Sequence, residues 1–361
     1  MLTVAATAPT DLTKLLLEIA ETPAPTFNEG LRAELIARHW TSFGLRVERD
    51  GVGNVIARVA GRSKARVALA AHLDTVFEHG TDLTVRSHGG RLIGAGIGDN
   101  AASLAVLTGY AQKIALHGAP CDVTLVATVG EEGLGDLRGA KHFLAQHAGR
   151  LDAFIAVDGY LGLIVNQAVG VRRYRAHFSS EGGHSWGNAG SASSIQALGE
   201  AIVELYKLPL PTDPRTTLSV GTVSGGTSVN SIAASAELLL DLRSLDSAAL
   251  ETLDAAAQLA MHRAAKRSRA ELRLEAVGDR PVGITDNSKL LRAAVSALEM
   301  LDLPSRIVAS STDANASVPH NLPALGYGVY RGGNAHRLDE WVDPASLQMG
   351  LKALDALISR L

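Results

Sequence analysis

With 361 residues, of which 46% are hydrophobic, the chain can bury a large core, and we expect two domains. Its formal net charge of −3 gives no basic surface for nucleic acid or an anionic membrane. No run approaches the ~18 apolar residues of a transmembrane helix. We therefore expect neither a nucleic acid nor a membrane as a partner. The single cysteine, Cys121, excludes an internal disulfide and favours a location in the reducing cytoplasm. Residues 1–9 lack the basic start of a secretory signal, so we do not expect one.

The first part of the chain alternates helical and strand patterns. The predicted elements are helices over residues 10–21, 28–43, 101–116 and around Phe143, and strands within 45–59 and over 67–71, 122–128 and 153–157. The last three strands are short apolar runs, which indicates burial on both faces. Strands that alternate with helices predict an α/β sheet, whose binding sites lie beyond the carboxyl ends of its strands.

Acidic and histidine side chains follow the three buried strands. The first strand ends on His72 and Asp74, the second is followed by Glu131 and Glu132, and the third is followed by Asp158. On an extended chain His72 and Asp74 project from the same face, which suits a metal-bound imidazole oriented by a carboxylate. Adjacent carboxylates repel each other unless a cation neutralises them, and a divalent cation does so best. These side chains therefore predict a metal site at one edge of the sheet.

Asp99 lies between the first two of these strands, in a glycine-rich turn that opens a predicted helix. The preceding Gly94 and Gly96 fit the start of a dinucleotide-binding motif. Its third glycine falls on Asp99, however, whose carboxylate would face the pyrophosphate. We therefore interpret Asp99 as a metal ligand rather than as part of a nucleotide site.

The pattern changes to half-exposed strands near residue 170. Four predicted strands (171–179, 218–223, 237–243, 270–277) and two predicted helices (193–208, 248–265) follow. This set fits a self-contained α+β sandwich. We therefore predict an inserted domain over residues 170–279, between the two parts of a catalytic domain at residues 1–169 and 280–361. The second part adds helices at 287–301 and 344–361, strands at 306–309 and 325–330, and then His336.

The predicted ligand set contains two histidines and three carboxylates: His72, Asp99, Glu132, Asp158 and His336. It suits two borderline cations such as Zn²⁺, with Co²⁺ or Mn²⁺ as alternatives. Two metals ~3.5–4 Å apart need one bridging carboxylate, and the glycine-permitted turn makes Asp99 the natural bridge. Glu131 then remains free to take a proton from a metal-bound water, whose pKa falls to ~7 beside zinc.

These motifs together resemble family twenty of the metallopeptidases, which includes peptidase T, aminoacylase, acetylornithine deacetylase and succinyl-diaminopimelate desuccinylase. The resemblance covers nearly the whole chain and includes the place of the insertion. It rests on His72-x-Asp74, Asp99, Glu131-Glu132, Asp158, Gly182-Gly183-His184, Asn230, Arg243 and His336, in that order. It implies an α/β fold with a di-zinc exopeptidase-like α/β/α catalytic domain and an inserted α+β sandwich that acts as lid and dimerisation domain.

The resemblance implies which residues bind each metal. His72 and Asp158 would bind one ion, Glu132 and His336 the other, and Asp99 both. It also implies a cis peptide bond after Asp99. The cofactors would be two Zn²⁺ ions per chain.

The resemblance implies roles for five further residues. Asp74 would orient His72, and Glu131 would act as general base and then as general acid. His184 would reach the active site of the partner subunit in a homodimer and support the oxyanion. Asn230 and Arg243, on the lid, would hold the substrate or its carboxylate, a role that suits the guanidinium fork.

The resemblance implies hydrolysis of an amide bond in a small substrate. Asn100-Ala101-Ala102 and Ser311-Thr312-Asp313 depart from the commoner family pattern, which bears on the substrate more than on the metals. Aspartate rather than glutamate at position 158 occurs in peptidase-T-like and dipeptidase members. It favours a peptide substrate. The alternative function is that of an amidohydrolase (deacylase), which acts on an N-acyl or N-carbamoyl amino acid.

A serine hydrolase is the alternative from another class. Residues 183–187 match a nucleophile elbow around Ser185, and Asp313 and His336 follow in the required order. The context does not fit, because no buried apolar strand precedes the elbow and no helix opens directly after it. A non-catalytic binding module is a third hypothesis. It is disfavoured because a suitable residue occupies every metal-ligand position and the position of the general base.

Overall fold

The structure, a computed structural model, describes residues 10–361. It divides into two compact units, one that ends at Ala168 and resumes as Ile284–Leu361, and a second, Val169–Gly283. The expectation about a secretory signal concerns residues 1–9, which lie outside the described residues. Within the described residues, no helix is both long and apolar enough to cross a membrane.

The strands of the described residues are distributed over both units. They are β1 (Val47–Arg49), β2 (Val55–Val59), β3 (Gly61–His72), β4 (Arg86–His88), β5 (Arg91–Ile93), β6 (Ala119–Thr128), β7 (Ala153–Val157), β8 (Leu163–Ala168), β9 (Gly170–Ser179), β10 (Gly183–His184), β11 (Thr216–Gly225), β12 (Ser231–Ile232), β13 (Ser235–Ser244), β14 (Glu271–Arg280), β15 (Arg306–Ser310), β16 (Ala324–Tyr327), β17 (Arg331–Gly333) and β18 (Trp341–Asp343). The three predicted buried strands are parts of β3 and β6 and the whole of β7.

The helices alternate with strands in the first unit and also occur in the second. They are α1 (Leu12–Ala20), α2 (Gly30–Ser42), α3 (Ser103–His117), α4 (Arg138–His147), α5 (Ser194–Leu205), α6 (Ser247–Arg267), α7 (Ser288–Glu299) and α8 (Ser346–Ile358). The side chain of Asp11 caps α1 by accepting from the N–H groups of Thr13 and Lys14. The predicted α/β fold class is confirmed.

The first unit is built on an eight-stranded sheet in the order β1-β2-β6-β3-β7-β16-β8-β15. The central strands β6, β3, β7 and β16 are mutually parallel. Their register places His72 opposite Thr128 and Val157 opposite Tyr327. Because parallel strands end at the same edge, the residues that follow these four strands are brought to one place.

Side-chain alternation along the central strands buries both faces of this sheet. Leu69, Leu125 and Ile155 pack into a core with α1, α3 and α8, while Val126 and Phe154 pack with α4 on the opposite face. Each such side chain is almost fully buried, which contributes ~1.5–3 kcal/mol per Leu, Ile or Phe. The rigid sheet therefore fixes the positions from which the functional loops leave.

The second unit contains a four-stranded antiparallel sheet in the order β11-β13-β9-β14. Alternate residues of β13, such as Leu238 and Leu240, are buried against α5 and α6. The residues between them face the other side, where Asp241 binds Arg173 with an N–O distance of 2.8 Å. Helices on one face of an antiparallel sheet form the α+β arrangement expected for the insertion.

Candidate metal centre

The ends of three parallel strands position most of the acidic side chains. His72 is the last residue of β3, Asp158 follows β7 directly, and Glu131 and Glu132 follow β6 after the turn at Val129 and Gly130. Gly130 has a φ of +62°, a conformation that glycine adopts without a Cβ clash. His72, Glu131 and Glu132 are each less than 9% exposed. The strand ends therefore hold these groups in a largely water-excluded place.

A tight turn brings Asp99 into the same place. Residues 97–102 leave regular helical geometry at Asp99, whose φ and ψ are −94° and 98°. The peptide bond between Asp99 and Asn100 is cis, the conformation that the family resemblance implies. Asn100 is fully buried, and its side-chain amide donates to the carbonyl oxygen of Val157 at 3.2 Å. This bond ties the turn to the end of β7, one residue before Asp158.

The two carboxylate oxygens of Asp99 face different histidines. Oδ1 lies 3.0 Å from Nε2 of His72, and Oδ2 lies 3.2 Å from Nε2 of His336. Nε2 of His336 also lies 3.0 Å from Oε1 of Glu132. Asp99 thus has one oxygen toward each side of the cluster, the arrangement that a bridging ligand requires.

Ligand atoms in this cluster fall into groups whose members lie within 4.8 Å of one another. One group is His72, Asp99 and Asp158, and another is Asp99, Glu132 and His336. These two triads share Asp99. A further group joins His72 to Glu131 and Glu132, so distances alone do not distinguish the roles of the two glutamates.

Charge provides a test of whether cations fit these triads. Within residues 10–361, no Lys or Arg forms an ion pair with Asp99, Glu132 or Asp158. Burial, together with the neighbouring Asp99 carboxylate, raises the pKa of Asp158 to about 7, and hydrogen bonds to Asp99 and Glu132 raise the pKa of His336 to about 10. The protein thus gathers more carboxylates than its own cations neutralise, which fits divalent metal ions.

The separations of the ligand atoms also fit metal ions. Two atoms bound to one tetrahedral ion at ~2.0–2.2 Å lie roughly 3.3–3.6 Å apart. The observed separations of 3.0 and 3.2 Å around Asp99 are slightly shorter, so a small outward shift of the side chains would admit an ion.

Asp74 organises the centre more widely than the sequence predicts. Its carboxylate is fully buried and accepts the N–H groups of Glu131 and Glu132, each at 2.9 Å, and the hydroxyl of Thr26 at 2.9 Å. Nδ1 of His72 donates to the carbonyl oxygen of Asp74 at 3.1 Å and lies 3.5 Å from its Oδ1. The proton on Nδ1 leaves Nε2 available for a metal.

Of the sequence-predicted residues in the second unit, His184 and Asn230 lie side by side. β10 pairs with β12 so that His184 is opposite Ser231, and the carbonyl oxygen of Asn230 accepts the N–H of Ser185 at 3.0 Å. Nδ1 of His184 accepts the N–H groups of Trp186 and of the next residue, each at 3.2 Å. These bonds orient an exposed imidazole.

Arg243 is the last residue but one of β13, near the carboxyl end of that strand. Its Nε binds Oδ1 of Asp241 at 2.7 Å, and its Nη2 lies 3.3 Å from Oδ2 of the same residue. Asp241 also binds Arg173. The structure therefore does not bring Arg243 next to His184, and its guanidinium already has a carboxylate partner.

The local structure around Ser185 differs from a nucleophile elbow. The preceding strand, β10, has two residues, both exposed, and pairs only with the equally short β12. The next helix, α5, begins at Ser194. An elbow needs a buried sheet strand that leads directly into a helix, so the serine-hydrolase context is missing.

Three buried polar residues around the centre were not predicted. Oγ1 of Thr128 donates to Asp313 at 2.6 Å, which ties the end of β6 to the segment that follows β15. Arg32, fully buried, donates to the carbonyl oxygen of Leu73 at 2.9 Å. Glu340 accepts the N–H of Asp99 at 2.9 Å. No periodic pattern marks such residues, because each contact joins distant parts of the chain.

The central strands of the sheet are parallel, and at their carboxyl ends lie carboxylate and imidazole triads that share one aspartate. This is the arrangement of a two-metal hydrolase. Sequence comparison assigns the chain more closely. Residues 68–360 match Peptidase family M20/M25/M40, and the chain belongs to this family. The predicted relationship to family twenty of the metallopeptidases is therefore confirmed.

Individual proteins agree with this assignment. An acetylornithine deacetylase of Edwardsiella ictaluri is 27% identical over 290 residues, which cover 70% of this chain and 73% of that protein. A tripeptidase structure from Staphylococcus aureus matches with a TM-score of 0.80 and 22% identity, over 98% of this chain and 99% of that one. A Bacillus subtilis dinuclear metal-binding peptidase matches with a TM-score of 0.67 and 18% identity, over 96% of each chain. These two structures show the shared fold.

Proposed function

We propose that this chain is a metal-dependent hydrolase that cleaves an amide bond in a small peptide, with Glu131 as the general base. The observation that carries the proposal is the pair of triads that share Asp99 and adjoin the buried Glu131. Membership of the peptidase family supports the reaction class.

We propose that the cofactors are two Zn²⁺ ions per chain, with Co²⁺ or Mn²⁺ as alternatives. His72, Asp158 and Asp99 would hold one ion, and Glu132, His336 and Asp99 the other. Mixed imidazole and carboxylate ligands suit borderline cations. When bound, the two ions would polarise the scissile carbonyl and acidify a water molecule.

Glu131 would move the proton. Its carboxylate would take a proton from the attacking water and deliver it to the leaving amine nitrogen. Asp74 supports this role because it binds the N–H groups of both Glu131 and Glu132, and thereby holds the turn that carries them. The burial of Glu131 keeps competing solvent away from its carboxylate.

Two classes of substrate fit the proposed reaction. Aspartate at position 158 favours a small peptide, and the tripeptidase has a similar fold. The sequence similarity to an acetylornithine deacetylase favours a second candidate function, an amidohydrolase of N-acyl or N-carbamoyl amino acids. Di- and tripeptides assayed beside N-acetyl and N-carbamoyl amino acids separate the two. Faster hydrolysis of the acylated substrates would replace the first candidate by the second.

Chelation distinguishes both candidates from a serine hydrolase. Activity should disappear after dialysis against a chelator and return with added Zn²⁺, Co²⁺ or Mn²⁺, while a serine-directed phosphonate and the substitution Ser185→Ala should have no effect. Loss of activity with the phosphonate, and none with the chelator, would establish the serine alternative.

We also propose a homodimer formed through the inserted domain, in which His184 supports the oxyanion in the partner's active site. The orientation of its exposed imidazole by two backbone N–H groups supports such a role. Asn230 would hold the substrate, and Arg243 would bind its carboxylate if the substrate displaces part of the pair with Asp241. The single cysteine, Cys121, favours a cytoplasmic location.

Subunit mixing tests the role of His184. Inactive Glu131→Ala chains and inactive His184→Ala chains would form hybrid dimers with one intact site, so mixing should restore up to about a quarter of wild-type activity. Absence of recovery despite demonstrated subunit exchange would mean that each site is complete within one chain.

A further inference from the structure

Glu340 is a buried glutamate to which the proposed reaction gives no role. It is 1% exposed, and its Oε1 accepts the N–H of Asp99 at 2.9 Å. Among the described residues, its Oε2 is buried without a hydrogen-bond partner. Burial of a carboxylate beside another acid is costly, so this contact needs a reason beyond the filling of space.

The main chain of Glu340 also holds the segment that leads to Asp99. Its carbonyl oxygen accepts the N–H of Gly94 at 2.9 Å. The next residue, Trp341, begins β18, which pairs with β5 opposite Ile93. Glu340 itself stands four residues after His336, so one residue connects the two loops that carry His336 and Asp99.

The chain leaves room for this carboxylate at Gly98. A Cβ atom at Gly98 would lie 2.5 Å from Oε1 of Glu340 and 2.9 Å from the hydroxyl of Tyr330. Cβ atoms do not approach other atoms so closely, and a glycine is therefore required for Glu340 to reach the backbone of the turn.

We propose that Glu340 is a positioning residue that fixes the Asp99 turn so that the two oxygens of Asp99 face His72 and His336 at the same time. The inference rests on the proposed function and adds to it the residue that couples the ligands of the two ions. Its acceptor oxygen, rather than its charge, performs the task, because the partner is a backbone N–H group.

Ion binding tests this role independently of hydrolysis. The variants are Glu340→Ala, which removes the acceptor, and Glu340→Gln, which keeps it, with Glu34→Ala as a matched control at an exposed glutamate that binds Arg49. Zn²⁺ affinity is measured by chelator competition, the Co²⁺ absorption spectrum reports ligand geometry, and thermal unfolding reports stability. Glu340→Ala should weaken ion binding ~10–100-fold and alter the spectrum, whereas Glu340→Gln and the control should stay within about threefold.

Wild-type affinity and an unchanged spectrum in Glu340→Ala would overturn the proposal, as would an equal loss in Glu340→Gln. If Glu340→Ala does not fold, Glu340→Asp decides, because its shorter side chain withdraws the acceptor oxygen from the N–H of Asp99 and should also weaken ion binding. Failure of the wild-type protein to bind two ions would instead count against the proposed function itself.

Discussion

Replacement of Asp74 by asparagine removes one acceptor from the group that holds both glutamates. The carboxylate accepts Glu131 N–H through Oδ1 and both Glu132 N–H and the Thr26 hydroxyl through Oδ2, all at 2.9 Å. The amide nitrogen of the variant cannot accept. This nitrogen is better tolerated in the position of Oδ2, because the hydroxyl of Thr26 can rotate there and accept a hydrogen bond from it. The N–H of Glu132 then faces another donor in a fully buried place.

The magnitude follows from the cost of one unsatisfied buried donor. Such a group costs ~1–3 kcal/mol, and 1.4 kcal/mol corresponds to a tenfold change in an equilibrium constant. If the bound ions restore the native turn, this cost reduces their affinity, so Asp74→Asn should bind the Glu132-linked ion ~5–150-fold more weakly. The turnover number at saturating metal should fall less, because Glu131 keeps its acceptor.

Chelator competition with Zn²⁺, followed by turnover measured with excess metal, provides the assay. Asp82→Asn is the control, since this exposed carboxylate binds Arg86 at the surface. Wild-type ion affinity in Asp74→Asn would refute the reasoning. So would a loss of thermal stability that leaves ion affinity unchanged, because Asp74 would then stabilise the fold without organising the centre.

Three further substitutions test the ligand assignment. Asp99→Ala should lose both ions, since one oxygen faces each histidine, and metal analysis that still finds two ions per chain would contradict the shared-ligand arrangement. Glu131→Gln should lose at least ~10²-fold in turnover yet retain both ions, as expected for a general base that is not a ligand. Glu132→Ala should instead lower the affinity for one ion, with partial rescue by added zinc. The opposite pair of results would exchange the roles of the two glutamates.

The apolar runs of the sequence determined the sheet and the places where its functional loops begin. Strand formation at residues 67–71, 122–128 and 153–157 is a local consequence of short, two-sided apolar stretches, and the structure contains strands there. Because parallel strands end at a common edge, His72, Asp158 and the two glutamates were predicted to meet without knowledge of any contact. Asp99, in its glycine-permitted turn, and the later His336 completed the predicted ligand set, and the family resemblance assigned each ligand to an ion.

Only the tertiary structure decided which atoms face each other. The contact between Glu132 and His336 joins residues 204 positions apart, and that between Glu340 and Asp99 joins residues 241 apart. No local period encodes such pairs.

The sequence predicted Asp74 as a partner of His72, whereas the structure shows that it also holds the N–H groups of Glu131 and Glu132. Glu340 lies in a polar stretch typical of a solvated loop, and it is buried because β18 pairs with β5 and carries it under the Asp99 turn. Burial of a polar group and the partner that satisfies it depend on what packs above it, which is a property of the folded chain rather than of its neighbours in sequence.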